Sequence, residues 1–336
     1  MVKRLCITYR EAVTPRATPR IGPRTTRSFK NKQTAAGMTA KYSNSAIGWL
    51  SGILLATSTA LLAPSPGQAQ DQEQLLWAGC TITRNAFMNE LAAAYEQKTG
   101  VAVVLEGGGA TRGIRAPSKG EVHVGGACRM SLPHLDQSEF FVTMHPVAWD
   151  ALTFIVHEDN PVSEISTDQV RRLYLGQITN WKELGGPDAP IHLYATRSKV
   201  SGVGYAKRQY IFQDADVDFV SDRFVQGSVH VENNVQKDPL GVGVTGVSSA
   251  RRLEGVKILA LDGVFPTYEA VRDGHYDLYR PLYLNTSSAP TGHVKGLVEF
   301  ASSEEGRRIL REQGTVPYRD ALHLMSKMTI YGFGVQ

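Results

Sequence analysis

Four glycine-rich turns hold the side chains of this chain best suited to gripping a ligand. They are Gly79-Cys80-Thr81-Ile82-Thr83, Gly107-Gly108-Gly109-Ala110-Thr111-Arg112-Gly113, Gly125-Gly126-Ala127-Cys128-Arg129, and Arg197 to Gly204 with Ser201 and Gly202. Adjacent glycines leave the backbone bare and free to take positive φ, so their N–H groups can converge on something placed against them. Where such a turn opens a helix, as Thr111 to Ala116 is expected to do, the same N–H groups carry the positive end of the helix dipole. That chemistry suits an anion. Arg129 and Arg197 each follow a predicted strand beside small residues, where a planar guanidinium fork fits a tetrahedral oxyanion with two parallel hydrogen bonds. A solvated arginine or a salt bridge between two halves of the molecule is the plainer role for either.

These turns need strands before them and helices after them, and the hydrophobic pattern supplies both. Leu75 to Ala78 reads as a short strand, Asn85 to Thr99 as a helix through Phe87, Leu91, Ala94 and Tyr95, and Val101 to Leu105 as a β-branched strand. A helix to Lys119 and a strand Val122 to Val124 follow, then an unbroken apolar strand, Val147 to Val156. The second half repeats the alternation with a capped helix Thr167 to Leu175, a strand Ile191 to Tyr194 and a helix Gly204 to Phe212. Val242 to Val247 and Val256 to Leu261 add strands, and Val294 to Gln313 reads as one amphipathic helix closed by Gly314. Such alternation predicts α/β architecture with mostly parallel sheets, and ligands in open α/β sheets sit beyond the carboxyl ends of the strands. All four turns stand there, so a cleft fed from two lobes is expected.

A chain of 336 residues has room for two such lobes. The formal charge of +4 hides an asymmetry: residues 1–69 hold 10 Lys or Arg against the single acid Glu11, which leaves 26 basic and 31 acidic residues beyond Ala69. The body is mildly acidic, has no basic stripe, and is not expected to bind nucleic acid. Between Lys41 and Gly67-Gln68-Ala69 runs the apolar stretch Ala46 to Ala63, read as an export signal cut after Ala69, with an uncleaved membrane anchor as the alternative and Met38 as a start of ordinary leader length. Trp77-Ala78-Gly79-Cys80 imitates a lipoprotein box, but Asp71 and Glu73 separate it from the apolar run. Removing the leader removes Cys6 and leaves Cys80 and Cys128, a pair that an oxidising compartment favours joining.

Two motifs mislead. Gly241-Val-Gly243-Val-Thr-Gly246 matches a dinucleotide fingerprint with Asp262 at the right distance, yet Asn233, Asn234, Gln236, Lys237, Asp238 and Pro239 stand where the preceding buried strand should be. It reads better as a tight strand. His123 near Cys128 could join Cys80 in a soft-metal site, although strand alternation separates positions 123 and 128. No P-loop, HExxH, GxSxG or CxxC occurs, so the commonest catalytic signatures are missing and an enzyme is not expected.

Taken together, the turns resemble those of the periplasmic phosphate-binding proteins of ABC phosphate importers, over about Leu76 to Pro317. The matching segments are the four turns, Leu175-Gly-Gln-Ile-Thr-Asn-Trp-Lys-Glu-Leu-Gly-Gly186, the PLGVGV strand from Pro239, and Tyr279-Arg-Pro-Leu-Tyr-Leu284. The resemblance implies a two-lobed binding-protein fold (type II), with residues 75–147 and 281–336 in one lobe and 148–280 in the other. It implies a monomer that captures a small oxyanion without cofactor or metal and delivers it to an ABC permease or a membrane sensor. Ligand contacts would come from Cys80, Thr81, Gly109, Ala110, Thr111, Cys128, Arg129, Arg197, Ser201 and Gly202. Three of these depart from the family in one direction: Cys80, Ala110 and Cys128 stand where serine hydroxyls donate, and thiols donate weakly while alanine cannot. Three accounts follow: a Cys80–Cys128 disulfide beside a modified oxyanion site, thiol ligands for a thiophilic species such as arsenite or Cu(I), or a partner-binding module that has lost phosphate binding. A dinucleotide-dependent oxidoreductase is the remote alternative.

Overall fold

The structure is a computed structural model and describes residues 74–330. The leader, its cleavage point and the choice between Met1 and Met38 lie outside the described residues. The strands are β1 (Gln74–Gly79), β2 (Ala102–Glu106), β3 (Val124–Ala127), β4 (Val142–His157), β5 (Glu164–Ile165), β6 (His192–Thr196), β7 (Arg223–Val225), β8 (Gly241–Gly246), β9 (Val256–Ile258), β10 (Ala260–Leu261), β11 (Tyr279–Ser287) and β12 (Val316–Pro317). Among the helices are α1 (Thr81–Thr83), α2 (Asn89–Thr99), α3 (Gly109–Ser118), α4 (Thr167–Tyr174), α5 (Gly202–Lys207) and α6 (Ser228–Val235), of which α1, α3, α5 and α6 reach the site.

Hydrogen-bonded neighbours run β2-β1-β3-β11-β4-β8-β6-β7, with β9 and β12 also on β4. Pairing is parallel at both flanks, β2-β1-β3 and β8-β6-β7, and antiparallel through the middle, where β11 and β4 lie. The single strand β4 serves both halves: it pairs with β11 as far as Ala151 and with β8 from Leu152. Val147 to Val156 is buried without interruption, the expected pattern for a strand covered on both faces. The first parallel half and the second are thus two lobes joined through β4.

Several sequence expectations shift in the structure. The strand expected at Val122 to Val124 begins at Val124, because His123 is spent closing the edge: its backbone N–H donates to Leu76 O (2.9 Å) and its ring Nδ1 accepts from Leu76 N (2.8 Å). That use removes His123 from any soft-metal role. Val256 to Leu261 is two strands, β9 on β4 and β10 on β5. Ser303, extended at ψ 168, breaks the C-terminal helix and caps its second piece by accepting from Gly306 N–H. Gly241 to Gly246 is the fully buried strand β8 between β4 and β6, so it cannot cradle a dinucleotide.

Glycines place α3. A Cβ on Gly125 would stand 1.7 Å from Gly113 O, and one on Gly113 2.1 Å from Gly126 O, so helix and strand meet backbone to backbone. Asn285 of β11 fixes the contact by donating from Nδ2 to Gly113 O at 2.9 Å. This close approach brings the N-terminal turn of α3 to the strand ends. Gly125→Ala is expected to destabilise the protein by about 1–3 kcal/mol through overpacking, read as a lowered midpoint in urea denaturation; an unchanged midpoint would show that the contact tolerates a methyl group.

Candidate functional site

The turns at the carboxyl ends of β1, β3, β6 and β7 meet around one cleft of about 580 Å³. Eight residues named from sequence line it: Cys80, Thr81, Gly109, Ala110, Thr111, Cys128, Ser201 and Gly202. Each has a structural reason to be there. Gly108 and Gly109 take φ of 133° and 76°, which an L side chain would resist, and so turn the chain from β2 into α3, whose first residues line the cleft. Ser201 caps α5 by accepting from Gly204 N–H at 3.1 Å, so its oxygen serves the turn. Gly202 lies against Cys128, whose Sγ would be 2.2 Å from an added Cβ.

The two arginines are elsewhere. Arg129 is 3% exposed, and its guanidinium is engaged bidentately by Glu139, Nη1 to Oε2 at 2.9 Å and Nη2 to Oε1 at 3.0 Å. Its Nε donates to Val200 O at 2.7 Å in the opposite lobe. Arg129 is therefore a tie between lobes, with its fork already filled. Arg197 is exposed and stands over the Phe224 ring, 5.2 Å from its centroid. A guanidinium at a strand end satisfies sequence reasoning equally well when it stacks on an aromatic face, which the spacing alone could not reveal.

Sequence reading missed the far wall. Gly108, Thr196, Ser198 and the run Gln226 to His230 also line the cleft. Gly227 is the N-cap of α6, so a second helix of useful length opens here. The signal was present in Gln226-Gly227-Ser228, small and polar after the short strand β7, but β7 is only half-buried and too short to stand out. Among the described lining residues there is no carboxylate, and none is Lys or Arg. Two helix N-termini from opposite lobes, with no negative side chain between them, make a surface for an anion.

Under this cleft lies a buried charge cluster. Arg280 of β11 stands opposite Asp150 of β4 in the ladder, and both are 1% exposed. Their closest approach is 3.7 Å, Nη2 to Oδ2, while Arg280 Nη1 donates to Cys128 O (3.2 Å) and Gly202 O (3.3 Å). Arg280 Nε and Nη2 and Asp150 Oδ2 have no hydrogen-bond partner. Burial pushes the Asp150 carboxyl above its ordinary range against the pull of Arg280.

Cys80 and Cys128 are free thiols here, both buried at the ends of the paired strands β1 and β3. Cys80 Sγ also caps α1, accepting from Thr83 N–H at 3.4 Å and lying 2.9 Å from Thr83 Oγ1. Burial opposes its ionisation, but the bonds from Cys128 and Thr83 and the charge of Arg280 outweigh that and bring Cys80 down to about 7. Its partner goes the other way: the bond to Cys80, then burial, raises Cys128 well above the ordinary thiol value. Among the described residues no group of three or more His, Cys, Asp and Glu is placed to hold a metal ion.

Comparison with known proteins gives a consistent result. A profile for the PBP superfamily domain matches residues 64–305. The phosphate-binding protein PstS of Bacillus subtilis (strain 168) is 26% identical over 247 residues, 71% of this chain and 81% of that one. PstS of Borreliella burgdorferi is 24% identical over 256 residues, 73% and 90% of the two chains. Among solved structures, a phosphate ABC transporter substrate-binding protein with bound phosphate from Clostridium perfringens is similar at TM-score 0.66 and 26% identity, covering 73% of this chain and 99% of that one. An ABC-type phosphate transport receptor from Vibrio cholerae shares the fold at TM-score 0.56 and 24% identity, over 73% and 100%.

The Arg129–Glu139 tie gives a pH dependence of stability. Burial would raise the Glu139 carboxyl, but Arg129, Leu132 N–H and Arg115 hold it below its ordinary value of 4.5. The tie is therefore at full strength above that value and is lost as pH falls beneath it. Glu139→Gln should cost about 3–5 kcal/mol at neutral pH, since Arg129 is left buried without a counter-ion. Urea titrations from pH 7 to pH 3 should show the difference between variant and wild type shrinking; a constant difference would refute the assignment.

Proposed function

The chain belongs to the PBP superfamily, and on that footing we propose that it is an exported solute-binding protein that captures phosphate between its two lobes for an ABC importer. The observation that carries this reading is the pair of facing helix N-termini, α3 at Gly109 and α6 at Ser228, across a cleft whose described lining has no carboxylate. A phosphate dianion placed there would be met by backbone N–H groups fixed before it arrives, which spares it the reorganisation that flexible donors would need. The names of the relatives, phosphate-binding proteins and phosphate transport receptors, support the same ligand. No reacting group is required: the protein would hold the anion, close over it and release it to a membrane permease.

Closure has a mechanism in the lobe contacts. Arg129 and Thr111 of the first lobe both donate to Val200 O of the second, at 2.7 and 3.3 Å. Arg280, at the shared middle of the sheet, holds Cys128 O and Gly202 O together. The ligand would select this apposed arrangement over more open ones, and its affinity would include that preference. Cys80, Ala110 and Cys128 supply no hydroxyl, although Thr81, Thr111, Thr196, Ser198, Ser201 and Ser228 also line the cleft. If two or three hydrogen bonds to charged groups are missing, at about 1.5–3 kcal/mol each, affinity falls by orders of magnitude below that of a serine-lined site.

Calorimetric titration with phosphate and with sulfate tests the reading. Phosphate should bind with one site per chain. Gly202→Val should weaken it by about tenfold or more, because the added side chain meets Cys128 Sγ and holds the turns apart. No heat from phosphate in a folded protein would end the proposal.

A further inference from the structure

Within the site just proposed, Cys80 caps α1 through its Sγ, but that role accounts neither for Cys128 nor for two thiols placed together. They sit at the ends of adjacent parallel strands, with Gly79 paired to Gly126 and Cys80 N–H donating to Gly126 O at 3.1 Å. Both thiols line the cleft, although Cys80 is only 6% and Cys128 1% exposed. The cleft, of about 580 Å³, is the side from which a small solute would approach them. Arg280 lies directly beneath, with Nε and Nη2 unpartnered, and holds the Cys128 carbonyl and the Gly202 carbonyl with the same Nη1.

We propose that Cys80 and Cys128 form a dithiol–disulfide couple, oxidised by small hydroperoxides entering the cleft, and that oxidation tightens anion binding in the same cleft. This rests on the anion-binding reading and adds its regulation. The groups facing the two sulfurs are the hydroxyl and N–H of Thr83, Arg280 from β11, Asp150 from β4, and Tyr210 packed behind; His230 stands on the far wall of the cleft.

The chemistry balances on two thiols and one hydroperoxide. Ionised Cys80 attacks one peroxide oxygen; an S–O bond forms, the O–O bond breaks, and the departing hydroxide or alkoxide takes up the proton that Cys80 had released. Cys128 then gives up its proton and attacks Cys80 Sγ; the S–S bond forms, the S–O bond breaks, and water leaves with that proton. Two thiols are oxidised by two electrons, and the hydroperoxide is reduced to water and water or alcohol. A small dithiol reverses it by two exchange steps.

The consequence for the ligand is electrostatic. In the reduced protein, Cys80 acquires a negative charge near neutral pH, directly under the place where a dianion would sit. The disulfide has no charge and titrates no proton, so oxidation removes that repulsion and leaves Arg280 offset by Asp150 alone. Binding and oxidation are then linked in both directions: the bound anion favours the disulfide by the factor by which the disulfide favours the anion. Cys128 Sγ also lies against Gly202, so drawing it toward Cys80 alters a contact between lobes.

The test is a phosphate titration by calorimetry on the purified full chain, reduced with dithiothreitol or treated with hydrogen peroxide, at pH 6 and pH 8. Peptide mapping should find a Cys80–Cys128 link after peroxide, and phosphate should bind the oxidised form roughly tenfold more tightly at pH 8, the scale of one unit charge a few ångström away. The difference should narrow at pH 6. A Cys80→Ser/Cys128→Ser double variant should lose all response to peroxide. If the wild type binds phosphate equally in both states, or peroxide yields no such link, the inference fails and the phosphate reading stands. If neither the wild type in either state nor the double variant binds phosphate, the phosphate reading itself fails.

Discussion

The buried pair Arg280–Asp150 is the constraint on which the arrangement depends. It joins β11 to β4, the strand that serves both halves, and its guanidinium reaches the backbone oxygens of one turn from each lobe, Cys128 O and Gly202 O. At 3.7 Å, with two guanidinium nitrogens and one carboxylate oxygen unpartnered, the pair is a poor stabiliser in its own right, since desolvating two charges offsets most of their attraction. Its value lies in position: it sets a positive charge under the cleft without putting a lysine or arginine on its described lining. Around it, Gly246 gives Asp150 room, because a Cβ there would lie 2.4 Å from Oδ2, and Ser248 N–H donates to Oδ1 at 3.1 Å.

From that centre the site is built mostly of backbone. The cleft carries Cys80, Ala110 and Cys128, and Arg129, just past β3, is filled by Glu139. What the cleft offers an anion are first-turn N–H groups of α3 and α6, hydroxyls such as Thr196 Oγ1, which is buried without a partner, and a buried cation behind the thiols. With the proposed couple, two thiols among these donors make the site's charge depend on oxidation, and its affinity for a dianion would follow conditions to which hydroxyls are indifferent.

Much of this was legible in the sequence because it follows from local rules. The glycine turns and the strands before them announced the cleft, and eight of ten named residues line it. Gly241 to Gly246 was recognisable as strand from its polar approach, Asn233 to Pro239. The failures share a cause: each depended on a partner distant in sequence. Arg129 looked free until Glu139, ten positions on, was seen to fold back upon it. Arg197 met Phe224, and His123 met Leu76 across a strand edge. The far wall at Gln226 to His230 follows a strand of three half-buried residues, too short to carry a period. Nothing local marks Arg280, an arginine inside the strand β11, as the centre of a site.

The most direct measurement is the amide NMR spectrum of the protein as phosphate is added. The account predicts that the largest shifts fall on the amides of Gly109, Ala110 and Thr111 at the start of α3 and of Ser228 and Val229 at the start of α6, in one saturable step. Shifts centred on Arg197 and Phe224, or on Gly241 to Gly246, with the two helix starts unmoved, would contradict it.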